Sequence, residues 1–123
     1  MRNRSSTDAR ARGAVAERIA CDYLRRRGLD LAERNFRVRG GEIDLVMRQD
    51  ETLVFVEVRA RRSNQWGTAA ETVTTRKQRR LLLAAQYYLQ STGHVGPCRF
   101  DVVALTGEPG RERVDWIRDA FQL

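Results

Sequence analysis

The sequence has few of the residues that build special frameworks. In 123 residues it holds two cysteines, two prolines and one histidine. Cys21 and Cys98 lie far apart, without the spacing of a disulfide framework or a zinc site. They read as two reduced, partly buried thiols, which suits a cytoplasmic protein. His94 lies in a loop with no partner in view and takes no role. No apolar run nears the length of a membrane span or a signal-peptide core, so no membrane association is expected. Acid is scarcer than base. The formal net charge is +7, and arginine carries almost all of the positive side. Guanidinium forks favour phosphate and carboxylate. A basic domain of this size points to nucleic acid as partner, with a merely basic surface as the plain alternative. The length suits one domain with a real core, and the ordinary apolar content excludes a disordered chain.

What is present is organised around a hairpin over residues 41 to 60. Gly41 to Met47 and Leu53 to Arg59 both alternate, which is the period of a strand with two different faces. Asp50-Glu51 is a natural two-residue turn, although it lacks the glycine that a tight primed turn prefers. With that turn as register, Ile43 faces Val58, Leu45 faces Val56 and Met47 faces Val54, giving one apolar face. On the other face Asp44 opposes Glu57 and Glu42 opposes Arg59. Two carboxylates directly across a ladder lie with Cβ atoms roughly 4.5–5.5 Å apart, and like charges there are destabilising. A divalent cation between Asp44 and Glu57 removes the conflict, since Mg²⁺ is held by one or two carboxylates plus waters and phosphate. Two other readings also remove it: solvated acids on an exposed face, or a bulge that shifts the register.

Around the hairpin the chain divides simply. Residues 1–8 read as a disordered basic arm and residues 9–123 as a single domain. Ser6, Thr7 or Asp8 caps a first helix, which Gly28 ends. Ala16, Ile19, Ala20, Tyr23 and Leu24 form its apolar stripe, with Glu17 on the margin, placed to lean toward the hairpin. Leu29 to Val38 reads as a strand, and Arg39-Gly40-Gly41 as a turn that bends sharply or approaches a ligand. After the hairpin comes a basic loop with Arg61, Arg62 and Trp66. Trp66 either stacks on a base or folds back onto the core. A second helix opens at Thr74 and Thr75, with capping-box spacing from Thr75 to Gln78. Its first turns hold Arg76, Lys77, Arg79 and Arg80. Cations there oppose the helix dipole, which makes sense where an anion such as a phosphate backbone occupies that end; a solvated surface turn is the alternative. Arg99 to Leu105 and Val114 to Phe121 read as the last strands. The order α-β-β-β-α-β-β predicts an α/β fold with a mixed sheet.

The string Gly41-Glu42-Ile43-Asp44-Leu45, followed by Phe55-Val56-Glu57-Val58-Arg59, resembles the YraN-like family of small uncharacterised bacterial proteins. Gly13 with Glu17, Asn35-Phe36-Arg37, Trp66-Gly67, Lys77-Gln78-Arg79-Arg80 and Arg99-Phe100-Asp101 agree with it. That family is similar to the restriction-endonuclease-like superfamily, close to archaeal Holliday-junction resolvases. The resemblance implies a mixed sheet flanked by helices, with the site on the central hairpin. Asp44 matches the first acid of the superfamily motif, Glu57 the second, and Glu17 the first-helix acid that completes some of these sites. The motif lysine is Arg59 here. Arginine supplies charge and a fork to phosphate, but it does not readily give up a proton.

The expected function is therefore metal-dependent DNA hydrolysis by an endonuclease, branched DNA included. Asp44 and Glu57 ligate Mg²⁺ or Mn²⁺, with Glu17 and Arg59 assisting. Arg39, Arg61, Arg62, Arg76, Lys77, Arg79 and Arg80 hold the nucleic-acid backbone. A homodimer suits a four-way junction, which has two-fold symmetry. The alternative is a catalytically weak or inactive nucleic-acid-binding protein on a nuclease scaffold. A protein-interaction adaptor with a basic surface is a third class.

Overall fold

Leu53, Val54, Phe55 and Val56 are all wholly buried, and they alternate between two separate cores. A run that is apolar at every position needs cover on both faces of its sheet, and two helices provide it. The computed structural model describes residues 4–62 and 73–122, with side chains described from residue 13. The elements are α1 (Arg4–Arg26), β1 (Asp30–Val38), β2 (Gly41–Gln49), β3 (Thr52–Arg61), α2 (Thr75–Thr92), β4 (Cys98–Thr106) and β5 (Arg113–Ile117). They form one open five-stranded sheet in the order β1-β2-β3-β4-β5. Only β3 and β4 run parallel. The expected element order and mixed α/β architecture are therefore observed. Among the described residues, no helix is long and apolar enough to cross a membrane.

Ala16, Ala20, Cys21 and Leu24 of α1 pack on Leu45, Met47, Val54 and Val56. Leu81, Ala84, Ala85 and Tyr88 of α2 pack on Ile43, Val46, Leu53 and Phe55. The tail end of the chain is clamped by Asp101, which is wholly buried on β4. Its carboxylate accepts hydrogen bonds from Arg99 Nε, Trp116 Nε1 and the Asp119 backbone N–H.

The hairpin register holds where it was expected: Leu45 pairs with Val56, Met47 with Val54 and Gln49 with Thr52. Asp50 takes the left-handed conformation of a primed turn, with φ 55°. The single apolar hairpin face is corrected. Ile43 enters the α2-side core, whereas Leu45 enters the α1-side core. The alternation changes beside Asn35, which has φ 50° and lies between the pairs Arg34–Leu45 and Phe36–Ile43.

Other boundaries also differ. Helix α1 begins at Arg4, before the expected caps, so residues 4–8 of the expected arm are helical. Thr74, not Thr75, caps α2 by accepting the Lys77 N–H at 3.2 Å, and the Gln78 side chain bonds the Val73 carbonyl instead. The last strand stops at Ile117. Asp119 turns the chain with φ 51°, and Phe121 folds back to stack on Phe100. Cys21 is buried, whereas Cys98 is exposed. The expected role of Trp66 lies outside the described residues, as do residues 1–3 of the arm.

Gly40 and Gly41 both have reasons to be glycine. Gly40 turns the chain with φ 83°. A Cβ on Gly41 would lie 2.5 Å from the Arg80 carbonyl oxygen and 3.1 Å from the Ala84 nitrogen. The close approach made possible there is thus to α2, which lies with its backbone against the start of β2.

Candidate functional site

The β2–β3 ladder pairs Leu45 with Val56 and goes no further toward the start of β2. One residue beyond, the Asp44 carboxylate accepts the Val58 backbone N–H at 2.8 Å. A side-chain oxygen thus takes the place of a strand carbonyl, and the two strands part around it. Asp44 and Glu57 are not a regular ladder pair, yet their carboxyl groups meet. Burial pushes Asp44 up to about 8. The neighbouring Glu57 charge adds to this, and the Val58 N–H pulls the other way. Ionisation of Asp44 is thus disfavoured beside Glu57. Glu57 also meets a cation: Lys77 Nζ lies 3.8 Å from its Oε2.

Above the pair opens a cleft of about 1090 Å³. Five acids line it: Glu17 from α1, Glu42 and Asp44 from β2, Glu57 from β3, and Glu112 just before β5. Six cations line it as well: Arg59, Arg61 and Arg62 from the end of β3, and Arg76, Lys77 and Arg80 from the start of α2. Most of the residues singled out in sequence thus converge on one place. Two do not. Arg39 is exposed in the β1–β2 turn and Arg79 is exposed on α2, and neither lines the cleft. The expected Glu42–Arg59 pair is also absent. Glu42 pairs with Arg37 at 3.5 Å, while Arg59 is half-buried along the cleft wall. Arg62 pairs with Glu108 at 3.2 Å.

Glu17 occupies the place its position on the stripe suggested. It is half-buried, and burial first and Asp44 second push its carboxyl above the usual range. The Asn35 side chain bonds it and lowers the shift, as does the Arg37 charge. Asn35 was missed as a site residue. Its signal was the residue type itself, because asparagine accepts a left-handed backbone and carries an amide. Among the described residues, no group of three or more His, Cys, Asp or Glu is arranged to hold a metal ion. The hard oxygen ligands in contact are Asp44 and Glu57, and α2 brings four cations to its first turns with no acid in the first.

An open mixed sheet between two helices, with touching carboxyl groups where two inner strands part and a cationic cleft above them, defines an α/β protein built around an acid pair. The chain belongs to the uncharacterised protein family UPF0102, whose model matches residues 16–105. A UPF0102 protein of Nitrosococcus oceani is 52% identical over 116 residues, covering 93% of this chain and 94% of its own. One from Cupriavidus necator is 60% identical over 111 residues, covering 89% and 82%. One from Chromohalobacter salexigens is 51% identical over 117 residues, covering 95% of each. The YraN-like resemblance read from the motifs agrees with this membership.

Proposed function

We propose that this protein is a metal-dependent nuclease that hydrolyses phosphodiester bonds in DNA, branched DNA included. The observation that carries the reading is the contact of Asp44 and Glu57 beneath a cleft lined by six cations. Supporting it are the element order and the position of the acids, which agree with the restriction-endonuclease-like architecture that the motifs resemble. The donor chemistry also fits. Two touching carboxyl groups form the all-oxygen set that Mg²⁺ or Mn²⁺ takes before waters and phosphate.

In this reading Asp44 and Glu57 would hold the divalent cation. A cation of this kind supplies Lewis acidity and a lowered pKa for bound water. Arg59 presents its fork to an oxygen of the phosphate as negative charge builds there. Arg61, Arg62, Arg76 and Arg80 hold flanking phosphates without reading bases. Glu17 accepts a hydrogen bond from water in the cleft. A water oxygen forms the new bond to phosphorus, the ester P–O bond breaks, the water's proton passes to solvent, and the leaving oxygen takes one from solvent. The reading requires the cytoplasm, where DNA is met, and a homodimer is the assembly matched to a four-way junction.

The test is cleavage of labelled duplex, single-stranded, flap and four-way-junction DNA with Mg²⁺ or Mn²⁺. Asp44→Ala, Glu57→Ala and Arg59→Lys are run alongside. Cutting that needs the metal and both acids is expected. A second reading, a binding module without catalysis, is favoured by Arg59, whose guanidinium does not readily give up a proton. Salt-sensitive binding without cutting, by wild type and Arg59→Lys alike, would sink the nuclease and leave that module.

A further inference from the structure

Of the 23 basic residues in the chain, every one except Lys77 is arginine. That single lysine reaches the carboxyl pair, with Nζ 3.8 Å from Glu57 Oε2. We propose that Lys77 is a catalytic residue of the cleft, its ammonium bridging the Glu57 carboxylate and a nonbridging oxygen of the phosphate that is cut. The inference rests on the nuclease reading above.

Three observations carry it. First, the position is built. The Thr74 side chain caps α2 on the Lys77 backbone N–H itself, at 3.2 Å. One turn on, the Arg80 carbonyl and Ala84 lie against Gly41, so α2 is fixed close over the start of β2, three residues before Asp44. Second, a structural role explains little. The Lys77 side chain is 46% exposed although that of Glu57 is only 13%, and an ammonium 3.8 Å away that keeps its other sides in water adds only modest stability. A cation in the first turn also opposes the helix dipole. Third, the chemistry differs from that of the neighbours. An ammonium is a compact point charge with three donors directed apart, whereas a guanidinium presents a planar fork. The first can join a carboxylate on one side to a phosphate oxygen on another. The second directs paired donors within one plane, which suits the bidentate grip assigned to Arg59. Lys77 takes no part in the proton transfers of hydrolysis.

The test compares wild type, Lys77→Ala, Lys77→Arg and Arg26→Ala, the last a charge loss at the far end of α1. Single-turnover cutting is measured with Mg²⁺ and with Mn²⁺, and DNA affinity is measured separately by anisotropy in EDTA. Far-UV spectra check that each variant is folded. We expect Lys77→Ala to cut about 100-fold more slowly, as for loss of one preorganised donor, with affinity close to that of Arg26→Ala. Lys77→Arg is expected to restore affinity but not the rate. Cutting by Lys77→Ala at the Arg26→Ala rate, a loss confined to affinity, or full activity in Lys77→Arg would each overturn the proposal while leaving the nuclease reading intact. A wild type that cuts nothing with either metal overturns both together.

Discussion

Asp44 is a carboxyl that the fold keeps from ionising, and that has a consequence for stability. In the unfolded chain it titrates near its ordinary value of 3.8, and in the native protein near 8. Between those values the native state binds more protons than the unfolded one, so stability falls as pH rises through this window and levels off above it. Each unit of separation corresponds to about 1.4 kcal/mol. Burial is the largest cause, and the Glu57 charge the next. Asp44→Asn keeps an acceptor for the Val58 N–H and removes the charge. The variant is expected to melt several degrees above wild type at pH 8–9 and to lose that advantage by pH 4. Thermal denaturation across this range checks it, and an offset that does not vary with pH would show that Asp44 titrates normally. Mn²⁺ at pH 8 should stabilise wild type more than the variant, by the ordinary linkage of ligand binding to folding.

Elements, rather than side chains, set how much was legible in advance. The hairpin register was readable because a two-residue turn fixes every pair after it, as Leu45–Val56 and Met47–Val54 show. Reading failed at Asp44, where the carboxylate displaces a ladder bond, and at Ile43, which changes layer beside the left-handed Asn35. Alternation alone carries no sign of either. The acids Glu17, Asp44 and Glu57 were legible from their spacing and motif, and all three line one cleft. The Lys77–Glu57 contact was not, because it joins β3 to a later helix and depends on how α2 lies on the sheet. Gly41 decides that. In Gly41→Ala the new methyl would sit 2.5 Å from the Arg80 carbonyl, a backbone atom that moves only with the helix. The expected cost is about 1–3 kcal/mol, as for other overpacked sites. Urea denaturation should show a lower midpoint with an unchanged slope. An unchanged midpoint would mean that β2 and α2 separate easily.

At the scale of the whole molecule, the net charge is +7. Six cations gather along one cleft, contributed by β3 and α2 together. If four to six of them neutralise phosphates, the logarithm of the binding constant should fall with the logarithm of salt concentration at a slope of about −4 to −5 on duplex DNA. Arg76→Ala should flatten that slope by about 0.9. A slope near zero would favour a protein partner for this surface.

The side chains of the chain also divide by reactivity. Reagents selective for amines meet two addresses on the polypeptide, the α-amino group and Lys77 beside Glu57. No lysine on the outer surface competes for an acyl group or a fluorophore. With the α-amino group blocked first, a single covalent label can be directed to the cleft without engineering, and protection from labelling measures directly whether the cleft is filled. Acylation of that one nitrogen would also strip the cleft of its sole ammonium while leaving every guanidinium of the molecule as it was.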